Sequence, residues 1–223
     1  GLRLSKDETI VRMPFEVRHM GSKYPIFSFD FTGAKRGVLP ASYDYLRLEG
    51  RMQYRLNLPP IGYSQLMLEG GKIFGKVPYL LLKLHEGNGT YFYDRYAFSC
   101  MNFYEFSSDA WISFFYEHHF NGFLLGRVPL LKKLNWREVF VFKGVYGTLS
   151  ARNDGSLPNT KAVMLFPVGM SSVEHPYLET GFGIENIFRL LRVDCIWRLT
   201  HHRAVPGLSI PTFTVNFSLN LKF

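Results

Sequence analysis

Between Thr212 and Phe223 the chain alternates without a fault. Thr212, Thr214, Asn216, Ser218, Asn220 and Lys222 share one side, and Phe213, Val215, Phe217, Leu219, Leu221 and Phe223 the other. Strand side chains point to opposite faces in turn, so such a run reads as a strand with one polar and one apolar face. Soluble strands usually have about 5–6 residues, whereas a strand tilted across a bilayer needs about 9–11. The length of this run therefore favours a membrane setting.

A second run repeats the pattern. Arg47, Glu49, Arg51, Gln53, Arg55 and Asn57 point one way, and Leu46, Leu48, Gly50, Met52, Tyr54, Leu56 and Leu58 the other. A water-facing sheet could also carry these polar groups, but the length matches a lumen-facing row better. Further strands are expected at 9–20, 24–33, 63–74, 97–106, 110–120, 137–149, 177–185 and 190–200. Val139, Phe140, Val141 and Phe142 are apolar on both faces, as expected where a lumen is plugged or tightly packed. The segment 122–134 is basic and apolar and fits either a membrane interface or a packed connector.

The expected fold is thus all-β, an antiparallel transmembrane β-barrel with about ten strands in this chain. Residues 1–223 read as a single barrel domain, the C-terminal part of a larger barrel. With the C-terminus in the periplasm, 201–211 and 150–176 become outer loops and 186–189 a short inner turn, matching the asymmetry of bacterial barrels. Upstream, two arrangements fit. Either 107–109 is a tight outer turn and 76–96 lies in the periplasm, or 97–120 is one bulged strand and 76–96 lies outside or inside the lumen.

Composition agrees without deciding. Aromatic residues make up 17% of the chain, in line with interfacial girdles, while mean hydropathy is near zero, as two-faced strands require. A soluble, secreted β-sandwich that binds a ligand or partner alternates in the same way and is the competing reading. No run approaches the ~20 apolar residues of a membrane helix. The net charge of +8 invites nucleic acid, but the basic residues are spread along the chain rather than clustered, which argues against it. Cys100 and Cys195 fall in strand-like runs without a CxxC and read as small buried or lipid-facing residues.

Charged residues on these strands are expected to face the lumen, because facing lipid costs each about 2–4 kcal/mol at midplane. The lumen row comprises Arg47, Glu49, Arg51, Arg55, Glu69, Glu117, His119, Glu179, Glu185, Arg192, Asp194 and Arg198. Such mixed charges fix a plug or line a polar pathway. Glu117-His118-His119 invites a metal or acid–base reading, but neighbouring strand residues point apart, which leaves Glu117 and His119 inward and His118 at an interface. The two histidines at 201 and 202 fall short of a closed metal site. No nucleophile elbow, phosphate loop or zinc-protease motif is present. The expectation is no catalytic residue, no metal and no cofactor; the competing idea is an outer-membrane enzyme acting on lipids.

The strings YFYDRYAFSCMNFYEF, HHFNGFLLGRVPLLKKLNWREV and YLETGFGIENIFRLLRVDCIWRLT carry a resemblance. They resemble the C-terminal region of a Bacteroidota outer-membrane family of unknown function, whose members begin with a carboxypeptidase-regulatory-like domain. The resemblance covers the second half of the chain well and the first half loosely. It implies a piece of a longer protein. The GFGIEN and LLRVD strings followed by a Phe-ending strand are also similar to the last strands of BamA-type assembly barrels, although Asp94-Arg95-Tyr96 lacks the glycine of their lumen motif. His118–Gly122 is faintly similar to the His-x-Ser-Asn-Gly element of outer-membrane phospholipase. Phe120 stands at the nucleophile position, so ester hydrolysis by that route fails. The resemblance implies a bacterial outer-membrane location, with lipid, the outer-membrane assembly machinery and other envelope proteins as partners. Phe213, Phe217 and Phe223 would form the signal read by that machinery. The expected role is a structural or accessory component of an envelope assembly, export or uptake complex.

Overall fold

The computed structural model describes residues 1–13, 15–37, 42–203 and 209–219. Its strands are β1 (Leu2–Leu4), β2 (Thr9–Arg12), β3 (Val17–Gly21), β4 (Ile26–Ala34), β5 (Tyr45–Asn57), β6 (Tyr63–Gly75) and β7 (Lys83–Leu84). These are followed by β8 (Phe106–Ser108), β9 (Ala110–His119), β10 (Arg137–Thr148), β11 (Ser171–Ser172), β12 (Tyr177–Ile187), β13 (Leu191–Arg198) and β14 (Phe213–Leu219). Among the described residues, helix is confined to two 3-10 turns and the α-helical turn α1 (Pro129–Lys132).

Nine strands form one sheet in the order β1-β4-β5-β6-β9-β10-β12-β13-β14. Every pairing in it is antiparallel. The chain is therefore all-β and built on a single large sheet, not on two stacked sheets of similar size. β2 and β3 pair as a separate hairpin, and β7, β8 and β11 form a small three-stranded sheet.

Seven of the expected strands, from 24–33 to 190–200, appear within two residues of their expected bounds as β4, β5, β6, β9, β10, β12 and β13. The closing strand appears as β14; the remainder of that run, including Phe223, lies outside the described residues. Two expectations need correction. The run 9–20 is two strands, because the Met13 N–H turns back to the Glu16 carbonyl at 2.9 Å and closes a hairpin. The run 97–106 is not a strand. Ala97, Phe98, Ser99, Cys100 and Met101 are all buried in succession, so this stretch has no solvent-facing side. Cys100 consequently sits in irregular backbone, while Cys195 lies on β13, and both thiols are free.

The ends of β4 and β5, β6 and β9, β10 and β12, and β13 and β14 that follow one another in sequence meet at one end of the sheet, and those of β5 and β6, β9 and β10, and β12 and β13 at the other. Residues 107–109 are no tight turn, since Phe106–Ser108 is β8. The ambiguity over 76–96 is resolved by the pairing of β6 with β9: the segment leaves and re-enters at the long-loop end and folds back over one face. Phe98, Met101 and Phe106 pack with Met67, Phe115, Val145 and Tyr177 of the sheet, and Val77 and Leu82 with Ile73 and Trp111. The same segment bridges the second edge of β14, where the Phe217 N–H donates to the Tyr91 carbonyl at 2.7 Å and the Tyr93 N–H to the Phe217 carbonyl at 2.8 Å.

Alternation sorts the residues of the sheet into two surfaces. On the covered face Val139, Val141, Tyr177, Glu179, Asp194 and Ile196 are wholly buried. On the opposite face the ladder lines up His118, Phe140, Phe182, Cys195 and Val215 in one row, and Tyr116, Phe142, Thr180, Trp197 and Phe213 in the next. Phe140–Phe182 and Trp197–Phe213 bring ring centroids within 5.2 Å, so neighbouring strands contribute a nearly continuous aromatic skin. Phe182 on that skin is 60% exposed.

Packing on the covered face leaves no room for a side chain at Gly71. A Cβ there would lie 2.5 Å from the Trp111 ring and 2.7 Å from the Leu48 carbonyl oxygen. Gly71→Val is expected to cost about 1–3 kcal/mol through overpacking. The check is a lowered denaturant midpoint; an unchanged midpoint would show that Trp111 moves freely aside.

Candidate functional site

The charges of the covered face converge on the segment 76–109. Lys143 of β10 and Glu179 of β12 stand directly opposite each other in the ladder. The Lys143 ammonium donates to the carbonyls of Asp94 at 2.7 Å and Ala97 at 2.6 Å. The Glu179 carboxylate accepts the N–H groups of Ser99 at 2.8 Å and Cys100 at 2.7 Å, and the Tyr177 hydroxyl at 2.6 Å. One cation and one anion thus satisfy backbone that no strand neighbour pairs.

Glu117 of β9 anchors the segment a second time. Its carboxylate accepts the Tyr93 hydroxyl, Arg95 Nε at 2.8 Å and Arg192 Nη2 at 3.2 Å. Arg192 also forks onto Asp194, with contacts of 2.7–3.0 Å. Two strands separate β9 from β13, so the Glu117–Arg192 pair spans three strand spacings of about 4.8 Å each and fits a sheet curved around this face. The Tyr93 ring lies between the cations Arg192 and Lys143, at 4.4 and 4.5 Å from its centroid. His119 has Nδ1 3.2 Å from Glu185 and Nε2 3.4 Å from Glu117, the latter a charge contact without hydrogen-bond alignment.

Three further ion pairs complete the grip. Arg198 reaches Glu105 at 2.6 Å and the Cys100 carbonyl at 3.1 Å. Glu69 receives Arg51 at 2.6 Å and Lys83 of the covering segment at 2.7 Å. Beside this last group a cavity of about 260 Å³ opens between sheet and segment, lined by Arg51, Glu69, Lys83 and the rings of Tyr96, Phe98 and Phe115.

Within the covering segment burial favours neutral forms. Burial, with the nearby Lys83 charge, lowers His85 to about 3, and its Nε2 lies 2.9 Å from Ser108 Oγ. Burial next to Glu179 pushes the Cys100 thiol up to about 12, which keeps it out of its reactive thiolate form. Tyr93 is likewise raised, by burial first and Glu117 second.

Residues 7–151 match the C-terminal domain of a family of unknown function, DUF5686. The chain belongs to this family. The matched stretch takes in β2 through β10 and the whole covering segment, so the segment belongs to the part of the chain by which the DUF5686 C-terminal domain is recognised. It ends before the GFGIEN and LLRVD strings, whereas the resemblance read from the sequence is stronger in the second half of the chain. No curated protein matches the chain.

The lumen-row residues all fall on the covered face, as alternation requires, but they do not form one site. Glu117, His119, Glu185, Arg192 and Asp194 come together; Arg51 and Glu69 form a second group; Glu179 and Arg198 each hold the covering segment. Arg47 pairs with Glu49 at 2.6 Å, and Arg55 stacks over Tyr63 at 4.1 Å, both nearer the open side of the sheet. His118 turns to the other face and is committed to Ser64 at 2.8 Å and the Ile61 carbonyl at 3.0 Å. Among the described residues no group of three or more His, Cys, Asp or Glu is placed to hold a metal.

Missed from sequence were Lys143 and the segment's own Lys83, Tyr93, Arg95 and Glu105. Lys143 was detectable as the one charge on the inward phase of 139–145, whereas the others carry no periodic signal.

Two outcomes follow for the DUF5686 C-terminal domain. Lys143→Met leaves Glu179 buried without its cation and two carbonyls unpaired, a loss of about 3–5 kcal/mol. Limited proteolysis should then cut within 91–98 faster than in the unaltered chain; equal rates would show that Lys143 does not hold the segment. His85 stays neutral in the folded chain to about pH 3 but takes a proton near 6.5 when unfolded. Its contribution is therefore full above about 6.5 and declines as pH falls towards 3. Melting midpoints of His85→Asn should fall less steeply than the parent's over that window, and parallel curves would refute the assignment.

Proposed function

We propose that this chain is a plugged, membrane-spanning sheet of a bacterial outer-membrane β-barrel. It would act as a structural or accessory component of an envelope assembly, export or uptake complex. One observation carries the reading: an aromatic, apolar face crosses the sheet on one side, while most strand charges lie on the other, the buried ones gripping the 76–109 segment. A water-soluble sheet reverses this preference and turns its apolar face to a core. A bilayer rewards apolar side chains outside and leaves polar groups to the lumen.

Strand lengths support the same setting, with β5 and β6 at 13 residues, β10 at 12 and β12 at 11. A bilayer does not tolerate open sheet edges, so this reading also requires further strands to cover β1 and β14. The long connections, including 76–109, would face outward and the short ones the periplasm. The charges grip the segment rather than leave a wide pore, which supports a sealed lumen and a structural rather than catalytic role.

Alkaline carbonate washing of membranes expressing the chain is the direct test. Retention in the pellet is expected, and release into the supernatant would favour a secreted soluble protein. Phe182→Arg, at the centre of the apolar face, should cost about 2–4 kcal/mol and prevent stable membrane assembly, with Phe217→Arg acting in the same direction. Normal assembly of both variants would mean that the faces are assigned the wrong way round.

A further inference from the structure

At the short-connection end of the sheet, two neighbouring pieces of chain expose apolar and basic side chains together. The connection 120–136 turns Leu124, Val128, Leu130 and Leu134 out to the surface, with Leu130 81% exposed. The turn 188–190 presents Phe188, 86% exposed, beside Arg189. Phe188 and Arg189 hold φ of 49° and 67°, a left-handed backbone that bulky residues rarely adopt. Such strain persists where the surroundings impose it, and here it aims an aromatic ring and a cation outward. The Asn186 amide donates to the Asn135 carbonyl at 2.8 Å and ties the two pieces together.

Between them lies a groove of about 570 Å³ lined by Lys132, Arg137, Arg189 and the side chains of Asn121, Asn135 and Asn186. No acidic side chain is among its described lining residues. On the flanking strands Glu138 accepts the Leu125 N–H, and Glu185 meets His119 on the covered face and stands opposite Arg137 in the ladder. Three basic residues and three asparagines therefore line a common space whose described lining holds no acid, next to leucines that water does not favour. A free inorganic anion would satisfy the cations and leave the leucines wet. An anionic amphiphile satisfies both.

We infer that this groove binds the headgroup of an anionic glycerophospholipid of the periplasmic leaflet. Lys132 and Arg189 take the phosphate, the asparagine amides meet the glycerol oxygens, and the acyl chains run beside Leu124, Leu130 and Phe188. The inference rests on the outer-membrane reading above and adds to it a lipid class and a site.

The full chain, reconstituted in nanodiscs of phosphatidylethanolamine with phosphatidylglycerol, is examined by native mass spectrometry for retained lipid. Phosphatidylglycerol should be retained several-fold over phosphatidylethanolamine. Each cation near a membrane surface contributes about fivefold, so K132Q/R189Q should lose most of that preference while K133Q, outside the groove, keeps it. Equal retention of the two lipids, an unchanged preference in K132Q/R189Q, displacement by inorganic phosphate alone, or preferential retention of lipid A would each overturn the site. Failure of the outer-membrane reading is separately visible, because carbonate would then release the unaltered chain whatever lipid it prefers.

Discussion

Charged side chains taken out of water have to be paired, and the rest of this structure is arranged around that requirement. Glu117, Lys143, Glu179, Arg192 and Asp194 are almost wholly buried on one face of the large sheet. Isolated, each would cost several kcal/mol. Ladder neighbours answer only part of the demand, and the segment 76–109 supplies the remainder through Tyr93, Arg95 and the backbone of residues 94–100. The pairing runs both ways. The segment has little regular secondary structure, so its own N–H and C=O groups find partners in the side chains of the sheet. Sheet and segment are thus mutually dependent in a way that two packed apolar layers would not be.

This dependence also explains the contrast between the two faces. The covered face can afford charges because it has a polar partner that fits them. The opposite face has none, and carries Phe, Trp, Leu and Val in rows that cross strand after strand. On such a surface a nonpolar medium is the natural partner. Near the short-connection end the pattern changes to leucines mixed with lysine and arginine, the combination suited to a boundary between apolar and polar media.

Much of the fold was legible in the chain itself. Period-two alternation identified β5, β14 and the single face shared by Arg47, Glu69, Glu117, Glu179, Arg192 and the charges aligned with them, because a strand offers a side chain only two directions. It failed at 97–106, where aromatic and apolar residues resemble a strand but Ala97–Met101 are buried in succession against the sheet, while Phe103 and Tyr104 are exposed. A stretch buried all round carries no alternation, so burial and strand formation could not be told apart. The hairpin of β2 and β3 was hidden for a different reason: its two short strands run on in sequence as one apolar-polar stretch.

The candidate site was legible in its charges and not in its partners. Sequence alone determined that Glu117 and His119 share a face, that His118 does not, and that the charges on the strands had to be kept together away from an apolar surface. Those follow from local geometry and the cost of exposing charge to an apolar medium. Only the tertiary structure decided that Glu117 meets Arg192 across three strand spacings, that Lys143 and Glu179 clasp the same loop, and that this loop folds back over one face of the sheet. Those contacts join residues far apart in sequence, and they depend on the curvature of a sheet that no single strand encodes. For β14, where the alternation is cleanest, periodicity settled the faces of the strand, but the bridge from Phe217 to Tyr91 and Tyr93 came from the fold.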